Sequence, residues 1–392
     1  MKDEACEGGL HRRACNAKQP IVRKTSRLES SAGFGRVGQM PDSKLSQERT
    51  RVGVIGGGAW GTALAIHCAR MGHNTQLWAM EPEVVQDING PKHENTLFLK
   101  GVPCPHSLAC SNDMPAVIQH AQLILMVVPT PFIARTIGSQ SANFRSDQIL
   151  VSCSKGISNE TLETVNEILE RVVPPALARR LAYLSGPSFA VEVAREQPSA
   201  VTIASRYDDI AARAQALLST PRFRCYRTQD ITGVELGGAL KNVLAIACGI
   251  SDGLGFGNNG RAALITRGLM EMTRLAVANG AHPLTMSGLA GIGDLVLTCT
   301  GDLSRNRTVG MRLGKGEKLP DIISSMRAVA EGVLTAKSAW KLAQKLNVEA
   351  PIIEGIYKVV HEGGDPVQIV SDVMSRELRS EVDPEVMAAA RL

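Results

Sequence analysis

Lys241 lies in the run 233–247 (GVELGGALKNVLAIA), where it is the one basic side chain among apolar and glycine residues. An ammonium buried on such a helix loses hydration, its pKa falls, and it can exchange a proton near neutral pH. The other reading is a lysine that snorkels to solvent along its alkyl stem. Further segments carry groups suited to phosphate binding or proton transfer. Ser154-Lys155-Gly156 follows the strand-like run Ile149–Cys153, and the C-terminal end of a strand is where α/β sheets place ligands. Ser185-Gly186-Pro187-Ser188-Phe189 is a turn whose glycine permits close backbone approach and whose Ser188 can cap a helix. Asp294 is the one acid in GIGDLVLTC (291–299). Leu303-Ser304-Arg305-Asn306-Arg307 offers guanidinium and amide groups, the pair best matched to phosphate. Read singly, each also fits a cap, a turn or a surface ion pair.

Gly56-Gly57-Gly58-Ala59-Trp60-Gly61 fits G-x-G-x-x-G between a strand and a helix. The first glycine makes the turn, the second lets backbone approach a pyrophosphate, and the third lets helix pack on strand. The helix N-terminus then faces the phosphates. Glu81 lies where an acid contacts ribose hydroxyls in NAD sites. Met80 stands where an arginine would favour NADP, so the cofactor is NAD(H) or NADP(H) with a lean to NADH. Glu81 before Pro82 also fits a plain helix start.

These groups need a scaffold. Val52–Ile55, Thr75–Trp78, Leu123–Val128 and Ile149–Cys153 read as strands, alternating with helices such as Thr62–Met71. That alternation predicts a doubly wound α/β domain. From Asp230 onward helical patterns dominate, broken by Gly, Asn and Pro, with room for about six to eight helices. The fold class is therefore α/β, a Rossmann-type doubly wound sheet followed by an all-α domain. The expected divisions are residues 1–50 as a disordered extension, 51–229 as the cofactor domain, 230–381 as the helical substrate domain and 382–392 as a flexible tail.

The 392 residues are 44% hydrophobic and 4% aromatic. The first 50 hold 10 Lys/Arg against 6 Asp/Glu, and the rest 33 against 32. The body is thus nearly neutral, without the basic field or stacking aromatics of a nucleic-acid binder. Nine cysteines show no C-x-x-C spacing and read as reduced thiols, and no metal-ligand cluster is visible. No run approaches 18 consecutive apolar residues, so no membrane span is expected. The expected location is cytoplasmic. The basic stretch between Gly8 and Leu28 raises a plastid alternative, and Ala390-Arg391-Leu392 a peroxisomal or glycosomal one.

Taken together, the motifs resemble the NAD(P)-dependent glycerol-3-phosphate dehydrogenase family, from about Val52 to Leu378. The resemblance rests on GGGAWGTALA (56–65), SKG (154–156), SGPSFA (185–190), GALKNVLAI (238–246), GIGDLVLTC (291–299), LSRNRTVG (303–310) and VAEGV (329–333). It implies reversible hydride transfer between NAD(P)H and dihydroxyacetone phosphate, giving sn-glycerol 3-phosphate for glycerolipid synthesis and redox balance. It implies Lys241 as general acid/base, with Lys155 and Asp294 catalytic beside it. Lys155, Gly186, Ser188, Asn242, Thr298, Ser304, Arg305 and Asn306 are implied substrate contacts. Gly56, Gly58, Ala59, Trp60, Gly61, Glu81, Lys155, Ala190, Arg305, Val329 and Glu331 are implied cofactor contacts. A homodimer is implied as well. Met80 departs from the arginine or histidine of many bacterial-type members, and the first 50 residues and the tail after Glu381 exceed their compact pattern.

Two rivals remain from the residues themselves. The hydroxyacid and phosphogluconate dehydrogenases also join a Rossmann domain to a helical domain carrying a lysine, but LSRNR and GPSF argue against them. A silent nucleotide sensor would not need Lys155, Lys241 and Asp294 together.

Overall fold

The computed structural model describes residues 49–326, 330–377 and 381. The expectations for the basic N-terminal stretch, the C-terminal tail and Val329 lie outside the described residues. Eight strands form one sheet: β1 (Arg51–Ile55), β2 (Asn74–Trp78), β3 (Ala109–Ser111), β4 (Leu123–Met126), β5 (Ile149–Ser152), β6 (Leu181–Ser185), β7 (Ser199–Ala204) and β8 (Phe223–Thr228). Their order is β3-β2-β1-β4-β5-β6-β7-β8. β1 pairs in parallel with both β2 and β4, so the winding reverses there and opens a crevice at the carboxyl ends of the strands. The central strands are apolar throughout because both faces are covered. Leu123 and Leu125 of β4 enter one core, with Ala63, Leu64 and Ile66 of the helix Ala59–Arg70. Ile124 and Met126 enter the other, with Ile133, Ile137, Ile168 and Leu169. Each of these Leu, Ile and Met side chains contributes ~1.5–3 kcal/mol by leaving water.

The sheet is not parallel throughout. β7 runs antiparallel to β6, and β8 follows β7 in parallel. Residues 187–198 supply only the five-residue helix Ala190–Ala194 before β7 begins. A helix of five residues rises only about 7.5 Å, less than the length of a strand, so it does not carry the chain back along the sheet for a parallel crossover.

After β8 the described residues hold nine α-helices and one π-helical turn, and no strand. This exceeds the six to eight expected, since short pieces such as Pro283–Met286 and Asp294–Thr300 are separate elements. The centre is the helix Ile231–Gly253. Asp230 caps it, its Oδ1 accepting from Gly233 N at 2.9 Å. Every residue from Gly233 to Ser251 is buried, as expected of a helix apolar nearly all round, and the few polar side chains among them, Glu235, Lys241, Asn242 and Ser251, are buried with it. The helix is long and apolar enough to cross a membrane, but it is packed almost wholly inside the protein. Two of its glycines let neighbours reach its backbone. A Cβ at Gly237 would lie 2.4 Å from Ala290 O, and one at Gly249 2.1 Å from Arg307 O.

Candidate active site

β1 delivers the loop Gly56–Gly61 to the crevice. Gly56 has φ +128°, and a Cβ there would lie 2.5 Å from Val127 O. A Cβ at Gly61 would lie 1.8 Å from Gly56 O, so only glycine lets the helix start against the strand end. Gly58 differs: nothing lies within 4 Å of where its Cβ would be. The helix Ala59–Arg70 has no side-chain cap at Gly58 and no acid in its first turn. Its leading N–H groups are thus left for an anion. Trp60 Nε1 in the same turn is buried with no hydrogen-bond partner. The open face, uncapped amides and orphaned indole N–H fit a dinucleotide pyrophosphate. Glu81 ends the segment after β2 half-buried, and Met80 beside it is 70% exposed. Ala190 opens its short helix and packs against the same core as Ala59 and Trp60.

The loop connects to the lysines through the neighbouring strand ends. Val127 N donates to Ile55 O at 2.8 Å, Ser154 Oγ to Val128 O at 2.6 Å, and Thr130 Oγ1 to Lys155 O at 3.2 Å. Lys155 therefore leaves the end of β5 beside the cofactor crevice. Its Nζ donates to Asp294 Oδ2 at 2.6 Å and lies 3.5 Å from Gly186 O. Lys241 Nζ donates to Asp294 Oδ1 at 2.6 Å and to Thr298 Oγ1 at 2.9 Å. Three separate segments thus converge on one carboxylate.

The backbone makes that convergence. Leu289–Gly293 is a π-helical turn kinked at Gly291, where a Cβ would lie 2.1 Å from Met286 O. It launches the helix Asp294–Thr300 with Asp294 first and Thr298 one turn later. Gly238, one turn before Lys241, leaves room for Ser185 Oγ and the Lys155 stem, 2.6 and 3.4 Å from where its Cβ would be.

The site is nearly dry. The side chains of Asp294, Lys241 and Lys155 are 1, 9 and 14% exposed. Burial pushes the Lys241 ammonium down; Asp294 opposes this and the charge of Lys155 adds to it, leaving its pKa at about 8. Burial would raise the Asp294 carboxyl, but the charges and hydrogen bonds of Lys155 and Lys241 hold it below its ordinary value. Asp294 thus stays ionised, and Lys241 is poised to exchange a proton near neutral pH.

A second layer fixes the far side. Asn242 Oδ1 accepts from Asn306 Nδ2 at 2.9 Å, and Asn242 Nδ2 donates to Glu331 Oε2 at 3.3 Å. Asn306 Oδ1 accepts from Gly332 N at 2.9 Å. Asn306, Asn242 and Glu331 thus form one network beside Lys241. Ser304 is buried, and its hydroxyl caps the helix Arg305–Gly314 by accepting from Arg307 N at 3.2 Å. Arg305 opens that helix and is exposed. Ser188 Oγ donates to Gly186 O at 2.9 Å, so both sit in one turn against Lys155.

Three residues at this site escape the sequence reading. Thr130 holds the Lys155 backbone. Asn95, whose amide donates to Gly57 O at 2.8 Å, comes from a segment with no periodicity. Arg307 lies inside LSRNR, and its guanidinium donates to Asp252 at 2.8 Å and Asp302 at 2.9 Å, anchoring the turn that carries Arg305. Its place in the motif was visible, but not that it faces inward.

Two family models match, described as the NAD-dependent glycerol-3-phosphate dehydrogenase N-terminus over residues 51–211 and C-terminus over residues 230–371. A glycerol-3-phosphate dehydrogenase, NAD(P)+, of Geobacter sp. (strain M21) is 51% identical over 331 residues, which is 84% of this chain and 98% of that protein. Its namesake from Myxococcus xanthus (strain DK1622) is 50% identical over 332 residues, 85% of this chain and 99% of that protein. The crystal structure of glycerol-3-phosphate dehydrogenase from Coxiella burnetii superposes with a TM-score of 0.79 at 37% identity, covering 84% of this chain and 99% of that one. With the dinucleotide loop and the two-lysine carboxylate site, these likenesses establish that the chain belongs to the NAD-dependent glycerol-3-phosphate dehydrogenase family, whose members are NAD(P)-dependent oxidoreductases.

Proposed function

We propose that this chain interconverts dihydroxyacetone phosphate and sn-glycerol 3-phosphate, with Lys241 as the proton donor and acceptor. The observation that carries this is the buried trio Lys155–Asp294–Lys241 beside the dinucleotide loop. The nicotinamide, when bound, supplies the hydride to the ketone carbon. Negative charge then grows on the ketone oxygen. Lys241 Nζ gives that oxygen a proton, and takes it back in the reverse direction. Such transfer contributes ~10²–10⁴-fold. Lys155 and Lys241 together carry two positive charges against one on Asp294, so the site stabilises the developing anion where water is excluded. Asp294 and Thr298 hold the Lys241 ammonium in line. Arg305 anchors the phosphate, turning binding remote from the reacting carbon into orientation.

Glu81 favours NADH over NADPH in this reading, since a carboxylate accepts from ribose hydroxyls and repels a 2′-phosphate. We also propose a homodimer and a cytoplasmic location; sedimentation and a fluorescent fusion test these. The product is a glycerol phosphate suited to glycerolipid synthesis. Nicotinamide oxidation with dihydroxyacetone phosphate, compared with a non-phosphorylated hydroxyacid pair, tests the substrate. Turnover confined to the phosphorylated ketone supports the proposal, and efficient turnover of the hydroxyacid pair alone would overturn it.

A further inference from the structure

We propose that Asn95 is a positioning residue that aims the Gly58 N–H at the cofactor's pyrophosphate; this rests on reading Gly56–Gly61 as the dinucleotide loop. Asn95 is fully buried, far from the loop in sequence, and every polar group of its amide is engaged. Nδ2 donates to Gly57 O and to Thr62 Oγ1, both at 2.8 Å. Oδ1 accepts from Phe98 N at 3.0 Å. This fixes the amide's orientation, because the flipped form would set oxygen against the Gly57 carbonyl. Thr62 Oγ1 donates to the same carbonyl at 3.2 Å.

Two donors therefore hold Gly57 O toward the interior. In a trans peptide the C=O and the following N–H point in opposite directions. Locking Gly57 O inward turns the Gly58 N–H outward. Gly58 is exposed, and the space around its α-carbon is open. On its other side Gly57 packs close to Ala79, where a Cβ would lie 2.5 Å from Ala79 Cβ. Glycine gives the loop its reach, and Asn95 gives this peptide its direction.

The test is NADH affinity of the full-length enzyme, read by quenching of tryptophan fluorescence, alongside steady-state kinetics. At alkaline pH, where even a carboxyl raised by burial is ionised, Asn95→Asp puts a carboxylate against Gly57 O with no donor to offer. We expect NADH binding to weaken about tenfold or more, the scale of losing a hydrogen bond to a charged group. At saturating NADH, kcat and the KM for dihydroxyacetone phosphate should stay within about twofold. Lowering the pH protonates the new carboxyl and restores a donor, so the deficit relative to wild type should shrink. Thr62→Val, which removes the second donor without inserting a charge, should weaken NADH binding by a smaller factor, and it carries the test if Asn95→Asp does not fold. Wild-type NADH affinity in folded Asn95→Asp or in Thr62→Val, or a deficit in Asn95→Asp indifferent to pH, would overturn the proposal. Failure of the wild-type enzyme to bind NADH would instead overturn the reading of the loop, and this proposal with it.

Discussion

Lys155 and Lys241 grip opposite oxygens of one carboxylate, each Nζ 2.6 Å from Asp294. The pair comes from a strand end and from the interior of the longest apolar helix, and only the carboxylate keeps the two ammonium groups together. Asp294→Asn should therefore do more than weaken a contact. Breaking a buried ion pair by removing one partner costs ~3–5 kcal/mol. We expect turnover to fall by more than about 10²-fold, because both lysines lose their alignment. Steady-state kinetics and a thermal melt of the variant check this.

The proton inventory of Lys241 gives a pH signature. A general acid must be protonated, so ketone reduction should slow as the pH rises through about 8, and glycerol phosphate oxidation should quicken through the same point. Asp294 raises the Lys241 pKa. Residual activity of Asp294→Asn should show this inflection displaced downward. The pH profiles of kcat in both directions are the measurement, and an inflection that moves upward would contradict the electrostatic account.

Arg305 is exposed at the start of its helix, while Arg307 two residues on is buried against Asp252. The two should behave differently. Arg305→Ala should raise the KM for dihydroxyacetone phosphate by about 10–100-fold with a smaller effect on the melting temperature, the range of a lost hydrogen bond to a charged group. Arg307→Ala should lower the melting temperature first. Kinetics and melts of both variants separate the roles.

Glu271 offers a stability test away from the chemistry. Its carboxylate accepts from Ile352 N at 2.8 Å and Ile353 N at 3.1 Å, at the start of the helix Pro351–His361. Burial pushes its pKa up from 4.5 to about 7, although the two backbone hydrogen bonds oppose this. A carboxyl whose folded pKa lies above its unfolded one stabilises fully below the unfolded value. That contribution is lost as the pH rises from about 4.5 through about 7, on the order of 3 kcal/mol. Urea unfolding of wild type and Glu271→Gln across this window should show the slope in the wild type and its loss in the variant.

Much of this architecture is legible in the sequence, for identifiable reasons. The loop GGGAWG announces itself by glycine spacing between a strand and a helix, and β1, β4 and β5 because buried parallel strands are short apolar runs, while β2 (NTQLW) shows the alternation of a half-buried strand. β7 and β8 are harder to read. β8 alternates Phe223 and Cys225 inward with Arg224 and Tyr226 outward, and an edge strand carrying charged residues lacks the continuous apolar run that marks the central strands. The reversal at β7 goes with the short helix Ala190–Ala194 in its connection, not with any motif. Sequence also names Lys241, Lys155 and Asp294 without showing which force on Lys241 prevails, since burial, attraction and repulsion compete over distances that only the fold sets. Ser304 and Asn306 illustrate a further limit. Their types suit phosphate, yet Ser304 caps its helix and Asn306 ties Asn242 to Gly332. Asn95 leaves no sequence signal, because a lone asparagine in a loop is ordinary until its partner is known.

The most direct measurement is nicotinamide oxidation with dihydroxyacetone phosphate in wild type and Lys241→Met side by side, with NADH binding measured in both. Lys241 as general acid predicts turnover by the wild type, and in the variant unchanged NADH binding with turnover reduced by at least about 10²-fold, the scale of a lost general acid. Wild-type turnover in Lys241→Met would contradict it.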